Sequence, residues 1–591
     1  MEADGKSNSV IEWINAKVTE HQLILILSVI AGIISGFAAL IIKYTAYFIQ
    51  DLLLDGFADP FHNYIYLILP AIGILASVLF MHIILKRQVG QGIPLTLFAI
   101  SQRQGRIHPH NMGSSIITSS LTVGFGGSAG LEGPTIATGA AWGSNIGQKF
   151  GLSYRNMILL LACSSAGTMA AIFKAPIAGV VFVLEVLMID LTIASIIPLL
   201  LASLAAAIVS YLFLGMDVLV PVEITTDFVI GEIPYLLLFG IFAGLVSVYF
   251  TRAFKWVERI FDTIKGRYTK WITGSICLGL ILFMFPAIYG EGYGIINSAI
   301  QGDINFLFDT PLLSGLQENI FTILILLAFL ISLKVIATGI TFQSGGVGGI
   351  FAPTLFMGAL SGLFFALLLN HFELHTLPIE HFVLAGMGGL IAGVLHAPLT
   401  GIFLIAELTG GYELLFPLMI TATASFLISR KFDNDSVYTY QLRRRGELFT
   451  HDKDQVILSI MDVENLIEKN FSTIHENATL GDLTEVIINS RRDIFPVIDS
   501  DKNLKGIIYL NDVRSLMFDE EMYDRITVKE LMHVPEGTIS IDESMQEVAR
   551  KFQSMNYYNL PVLEGTKYRG FVSRANVFSA YRKLLRTMTE E

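Results

Sequence analysis

The stretch GFGGSAGLEGPT, residues 124–135, sets five glycines around one acid, Glu132, and one proline, Pro134. Gly124, Gly126 and Ala129 satisfy the G-x-G-x-x-G/A pattern of a dinucleotide-binding loop, but that fold requires a preceding strand inside a βαβ unit of ~30 residues. Here the flanking sequence is apolar and membrane-like on both sides, so the nucleotide reading is set aside. The local physics survives it. Glycines let backbone approach a ligand closely, Pro134 presets φ for a first helical turn, and the N–H groups and positive dipole end of a helix start favour an anion.

Composition says what surrounds the loop. The 591 residues are 53% hydrophobic and 15% charged, with mean hydropathy +0.61, whereas a soluble domain carries about 25% charged residues. The charges are unevenly placed: 48 of them lie in the last 161 residues. An apolar membrane body followed by a polar domain is the simplest division. The net charge of −12 comes with no basic block, which argues against a nucleic-acid partner. Cys163 and Cys277 both sit in apolar runs and offer neither a disulfide framework nor metal spacing, so buried thiols are expected. No basic n-region or cleavage site opens the chain; Val10, Ile11, Ile14 and Val18 share one helical face, as in a short helix lying on a membrane surface.

A spanning helix needs about 20 apolar residues, which 23–42 and 64–85 supply. Runs at 191–214, 234–250, 272–288 and 320–333 are further candidates. Residues 112–188 and 336–428 are apolar but crowded with Gly, Ala, Ser and Pro, the pattern of broken helices whose irregular backbone must be buried in protein or line a cavity. An internal repeat joins these regions. GGSAGLEGPTIATGAAWG from Gly126 matches GGVGGIFAPTLFMGALSG from Gly345, and APIAGVVFVLEVL from Ala175 matches APLTGIFLIAELT from Ala397. Two homologous halves follow, and transporters place their sites where discontinuous helices of such halves meet. Lys86, Arg87, Arg103 and Arg106 mark one face, and Arg430, Lys431 and Arg443 to Arg445 follow the last span, which puts the C-terminal part in the cytoplasm.

GQGIP (90–94) and GGIFAP (348–353) repeat the glycine-before-proline grammar of the opening stretch; the alternative for each is a simple kink. Glu132 is the sharpest residue. An ionised carboxylate at membrane depth usually faces an aqueous cavity or a partner and marks a pathway. Beside an anion site it can occupy that site and leave on protonation; capping its own helix is the competing role. Glu185 and Glu407 correspond in the second repeat block, which favours a structural role such as bonding to backbone. His82 and His396 read as packed or interface histidines, with no metal spacing around them. No nucleophile–His–Asp arrangement and no paired catalytic carboxylates emerge, so an enzyme is not expected.

GQGIP, GLEGP (130–134), GGIFAP and Tyr412 within ELTGGYELLFP, in that order, resemble the CLC family of chloride channels and proton-coupled chloride exchangers over roughly residues 20–430. The tail, with TIHENATLGDL from Thr473 paralleled by TISIDESMQEV from Thr538, resembles a CBS domain pair. The resemblance implies an all-α polytopic membrane protein with two inverted-repeat halves and broken helices, plus a cytoplasmic α/β CBS pair. The expected divisions are an N-terminal cytoplasmic amphipathic segment (1–21), a transmembrane domain (22–430, halves about 22–215 and 230–430), a linker (431–456), and CBS modules at 457–520 and 526–586. It implies a homodimer in the lipid of a bacterial inner or cell membrane, both termini cytoplasmic, with one pore per subunit and no cofactor or metal.

Residue by residue, the resemblance makes Glu132 the gate, Tyr412 the hydroxyl on the central anion, and Gly92, Ile93, Gly349, Ile350 and Phe351 anion-facing backbone. Two departures matter. Gln91 stands where the family usually has serine, which opens the choice of chloride, nitrate or fluoride, because glutamine offers a longer amide with donor and acceptor. Val186 stands where proton-coupled members commonly carry a second, inner acid. That valine tips the expectation toward a passive chloride channel, voltage- or pH-gated, with Glu132 as gate and the CBS pair as regulator. A chloride/proton antiporter is the alternative, and a membrane-tethered sensor is the rival from another class. In the CBS pair, Tyr509 and Asp512, and Ser573 with Asn576, partly match an adenine-nucleotide site; a structural dimerisation role competes.

Overall fold

The structure is a computed structural model that describes residues 18–54, 62–87, 89–90, 92–189, 193–215, 228–308, 313, 319–373, 376–444, 457–458, 461–555 and 557–589. Gln91, residues 1–17 of the N-terminal segment and residues 445–456 of the linker lie outside the described residues. The chain divides into two compact units, Met1–Leu448 and Phe449–Glu591.

The first unit is helical throughout. In chain order its helices are α1 (Glu20–Leu54), α2 (His62–Leu79, continued by a π turn Phe80–Leu85), α3 (Ile93–Gln102), α4 (Asn111–Gly124), α5 (Glu132–Lys149), α6 (Tyr154–Phe173), α7 (Pro176–Val186) and α8 (Ile193–Leu214). The second half continues with α9 (Ile233–Thr263), α10 (Arg267–Met284), α11 (Tyr293–Ile300), α12 (Ile320–Gln343), α13 (Phe351–His371), α14 (Ile379–Leu395), α15 (Pro398–Leu408), α16 (Leu415–Phe432) and α17 (Val437–Arg444). Seven helices among the described residues are long and apolar enough to cross a membrane, while α3, α7, α14 and α15 are apolar but shorter. Three of the short ones begin where the sequence places Gly or Pro: Gly92 just before α3, Pro176 as the first residue of α7, Pro398 as the first of α15.

The repeat is a structural two-fold. Loops 125–131 and 344–350 meet as an antiparallel bridge, with Gly130 N donating to Gly349 O at 2.8 Å and Gly349 N donating to Gly130 O at 2.7 Å. The flanking threonines reciprocate: Thr341 Oγ1 accepts from Ser128 N at 3.2 Å, and Thr122 Oγ1 accepts from Val347 N at 3.1 Å. Gly126 and Gly345 turn both loops with φ of +89° and +103°, a region that L side chains avoid. The second repeat block obeys the same symmetry. Glu185 accepts from Leu399 N, Thr400 N and Thr400 Oγ1 at 2.9, 2.7 and 2.8 Å, capping α15. Glu407 caps α7, accepting from Ile177 N and Ala178 N at 3.1 and 2.7 Å. Each carboxylate satisfies the orphan N–H groups of the other half's helix, the structural role expected of the pair.

Small residues let these helices touch. At Gly139, Ser164 O of α6 leaves no room for a Cβ, and at Gly358, Gly386 O and Met387 of α14 do the same, the close backbone approach that drives association where lipid supplies no hydrophobic force. Cys163 is buried, as expected; Cys277 is exposed on α10. The sequence ran both through apolar segments, but α10 turns that side outward beside Ile276 and Leu280, and apolar residues there are what lipid requires.

The second unit holds two copies of one motif. Strands β1 (Ile474–His475), β2 (Ile494–Ile498) and β3 (Leu504–Tyr509) form the first sheet, and β4 (Ile539–Ser540), β5 (Asn559–Glu564) and β6 (Lys567–Ser573) the second. In each, the first pair is parallel and the second antiparallel. Helices α18 (Leu480–Ile488) and α19 (Met545–Met555) make the crossovers, and α20 (Arg574–Thr589) follows. Separate apolar cores lie under each sheet, around Phe495 and Val497 and around Val562 and Val572.

Candidate functional site

A small cavity sits where the broken helices converge. It is lined by Gly92, Ile93 and Pro94 at the start of α3, Gly133 in α5, Gly348 to Ile350 before α13, Phe254, Phe342, and Val437, Tyr438 and Gln441 of α17. About 20 Å³ is open to a water-sized body, enough for one small guest, since a water needs ~10–15 Å³. Three helix starts aim at it, and the first N–H groups of a helix have no intrahelical acceptor. The arrangement suits a dehydrated anion held by backbone.

The anion-facing residues expected from sequence divide here. Ile93, Ile350 and Phe351 stand in or before the first turns of α3 and α13, with N–H groups available to a ligand. Gly349 and Gly92 line the cavity, but their N–H groups are spent, Gly349 on Gly130 O at 2.7 Å and Gly92 on Gly90 O at 3.0 Å. Their contribution is close approach: a Cβ on Gly349 would lie 2.8 Å from Gly133 N, and one on Gly92 2.9 Å from Gly133 C. The side chain of Phe351 is fully buried against Phe173 and Phe182.

Tyr412 stands apart from this cavity: it is 49% exposed and is not among the cavity-lining residues. The phenol on the cavity is that of Tyr438, which is 6% exposed and whose hydroxyl is buried with no hydrogen-bond partner among the described residues. A buried hydroxyl without a partner loses its water without recompense, so a guest that accepts its hydrogen bond is the natural complement. Tyr438 follows the charged stretch after α16 and reads as linker; only the return of α17 brings it inside. Gln441 follows one turn later, also on the cavity.

Glu132 opens α5 immediately beside this cavity, next to Gly133. It is 1% exposed. Its Oε1 accepts from Tyr293 Oη at 2.8 Å, while Oε2 is buried without a partner among the described residues. The carboxylate therefore sits in a sealed place, the condition under which it is costly unless it exchanges a proton or moves. Val186 is buried at the end of α7 and carries no proton. Lys334, fully buried on α12, donates to Ile288 O and Gly290 O, both at 2.9 Å, and holds the segment before Tyr293 in place. No group of three or more potential metal ligands occurs among the described residues.

In the second unit the residues proposed for a nucleotide are engaged within the chain. Ser573 Oγ donates to Glu468 Oε1 at 2.5 Å, and Asn576 Nδ2 donates to Leu466 O at 3.1 Å. Arg492 pairs with the same Glu468 at 2.7 Å. Asp512 faces His533 at 3.2 Å, and Tyr509 packs against the Phe471–Phe571 cluster. A phosphate at Ser573 would meet the Glu468 carboxylate.

Fold and site define the class. Residues 72–430 match the family described as voltage gated chloride channel, and residues 463–519 and 528–583 each match the CBS domain; the chain belongs to the CLC family and carries a CBS pair. Among its relatives is the H(+)/Cl(-) exchange transporter ClcA of Vibrio cholerae serotype O1 (strain M66-2), 28% identical over 440 residues, 71% of this chain and 89% of the relative. Among solved structures, that of a slow cyanobacterial Cl-/H+ antiporter aligns with a TM-score of 0.61 at 23% identity, over 73% of this chain and 99% of the other. A eukaryotic CLC transporter aligns at 0.58 and 16% identity, over 94% and 97%. These two likenesses speak to the fold.

Proposed function

We propose that this chain exchanges chloride for protons across the membrane, with Glu132 as the protonatable gate. The observation that carries the reading is Glu132 itself: a sealed carboxylate at the contact of the two repeats and beside a cavity built from helix starts. Ionised, the carboxylate competes with chloride for the N–H groups at the head of the path; protonated, it loses that attraction and yields the place. Each cycle therefore links an anion's passage to a proton's. The exchange transporter among the relatives supports this over the passive channel that Val186 suggested. Within the reading, Tyr438 and the amides of Ile93, Ile350 and Phe351 hold the central anion, Gln91 sets its selectivity, the subunits pair as homodimers, both termini are cytoplasmic, and the CBS pair regulates. Because Glu468 occupies the surroundings of Ser573, that regulation is proposed without an adenine nucleotide.

The test reconstitutes the purified protein in liposomes under a chloride gradient and follows chloride and protons together. Uphill proton movement is expected. Chloride flux with none would return the protein to the channel reading, and no flux of either would support a membrane-tethered sensor.

A further inference from the structure

Glu132 has a second carboxylate for company. Glu291 stands in the GEGYG segment between α10 and α11 and is 9% exposed. Its Oε1 accepts the N–H of Leu131 at 3.0 Å, the residue next to Glu132. Two residues further on, Tyr293 donates to Glu132 at 2.8 Å. Two hydrogen bonds thus cross one gap in opposite senses and tie both acids to the same turn. The other oxygen of Glu291 accepts from Tyr47 Oη of α1 at 3.4 Å, and Tyr47 is half-buried. The segment is held on several sides: Lys334 grips Ile288 O and Gly290 O, Ser128 Oγ donates to Ile288 O at 2.9 Å, and the Tyr289 ring lies where a side chain on Gly126 would stand. The charged and titratable groups facing Glu291 are Lys43 and Tyr47 from α1, Glu132 from α5, Tyr293 from α11 and Lys334 from α12, with Lys174 facing Lys43.

Capping Leu131 requires only an acceptor, which a neutral amide supplies at a smaller desolvation cost than a carboxylate. An ionisable group here calls for a use that an amide lacks. Of the two acids, Glu291 is the more exposed, and Glu132 is nearly sealed.

We infer that Glu291 is a proton stop serving Glu132: it takes a proton from water on the Tyr47 side and passes it to the Glu132 carboxylate. In the hand-off the O–H bond on Glu291 breaks, its electron pair stays on Glu291, and the proton bonds to an oxygen of Glu132; a proton from water then restores Glu291. The return direction uses the same steps. This rests on the exchange reading above.

The experiment compares wild type, Glu291→Gln and Glu291→Asp in liposomes, reading proton and chloride movement together. Glutamine keeps the acceptor for Leu131 and removes only the exchangeable proton. Proton movement is expected to fall on the order of 10²-fold while chloride flux persists, and aspartate restores coupling. A Gln variant with the wild-type proton-to-chloride ratio overturns the proposal and leaves Glu291 as a cap. If the Gln variant carries no chloride at all, Tyr47→Phe decides: a lowered ratio upholds the relay and an unchanged one overturns it. A wild type that moves chloride without protons instead overturns the exchange reading itself, an outcome distinct from all of these.

Discussion

Loops 125–131 and 344–350 have one backbone and two chemistries. Both turn at a left-handed glycine, both are tethered by a threonine of the opposite half, and both open a helix with a proline at its third residue. Even the first turns match: Thr135 Oγ1 donates to Leu131 O, and Thr354 Oγ1 to Ile350 O, each at 2.7 Å. At the symmetry-related position after the bridge, however, the first loop has Glu132 and the second Phe351. Backbone geometry alone therefore makes an anion-friendly helix start, and one side chain decides whether that start can titrate. The acid half is also the half that receives the Tyr293 hydroxyl and, through Leu131, the Glu291 carboxylate; the Phe351 ring packs against Phe173 and Phe182.

The comparison breaks most completely at Glu132. Glu132→Gln is expected to reduce proton movement to background and to remove the pH dependence of chloride flux, whereas Phe351→Leu leaves the proton-to-chloride ratio unchanged. Equal effects of the two on the ratio would show that the asymmetry is not chemical. Next comes the bridge: Gly349→Ala puts a methyl 2.8 Å from Gly133 N, overpacking that costs about 1–3 kcal/mol. Chloride flux should fall about tenfold or more, measured in liposomes at matched protein content.

Smaller still is the phenol. Tyr438→Phe removes one donor, worth about 0.5–1.5 kcal/mol, and should weaken chloride binding in calorimetry about three- to tenfold, while Tyr412→Phe changes nothing. The reverse result would restore Tyr412 to the site. Least affected should be the second repeat block, where both halves carry a glutamate that caps the other half's helix. Glu185→Gln and Glu407→Gln should each lower thermal stability in detergent by about 1 kcal/mol and leave the transport ratio intact. A large difference between them would mean that one acid does more than cap.

Much of this was readable in advance. The glycine–proline grammar and the acid at 132 pointed to the broken helices and to the buried carboxylate at one helix start, because each is a property of near neighbours in the chain. The matched glutamates 185 and 407 announced a structural pair for the same reason. Tyr412 and Tyr438 were not told apart by sequence: the tyrosine beside a recognisable motif lies outside the cavity, and the one that lines it follows a charged stretch. Glu291 was overlooked among turn-forming glycines, although an acid in an otherwise apolar half is itself a signal of depth.

The sequence by itself determined the class of protein, its two halves, and the existence of helix starts suited to an anion. These follow from periodicity, φ preferences and charge, which act over a few residues. Only the tertiary structure decided which N–H groups remain free, which phenol faces the cavity, and that a second carboxylate stands beside the first. Those facts depend on segments more than 150 residues apart, Leu131 with Glu291 and Gly130 with Gly349, brought into contact by packing that no local pattern encodes.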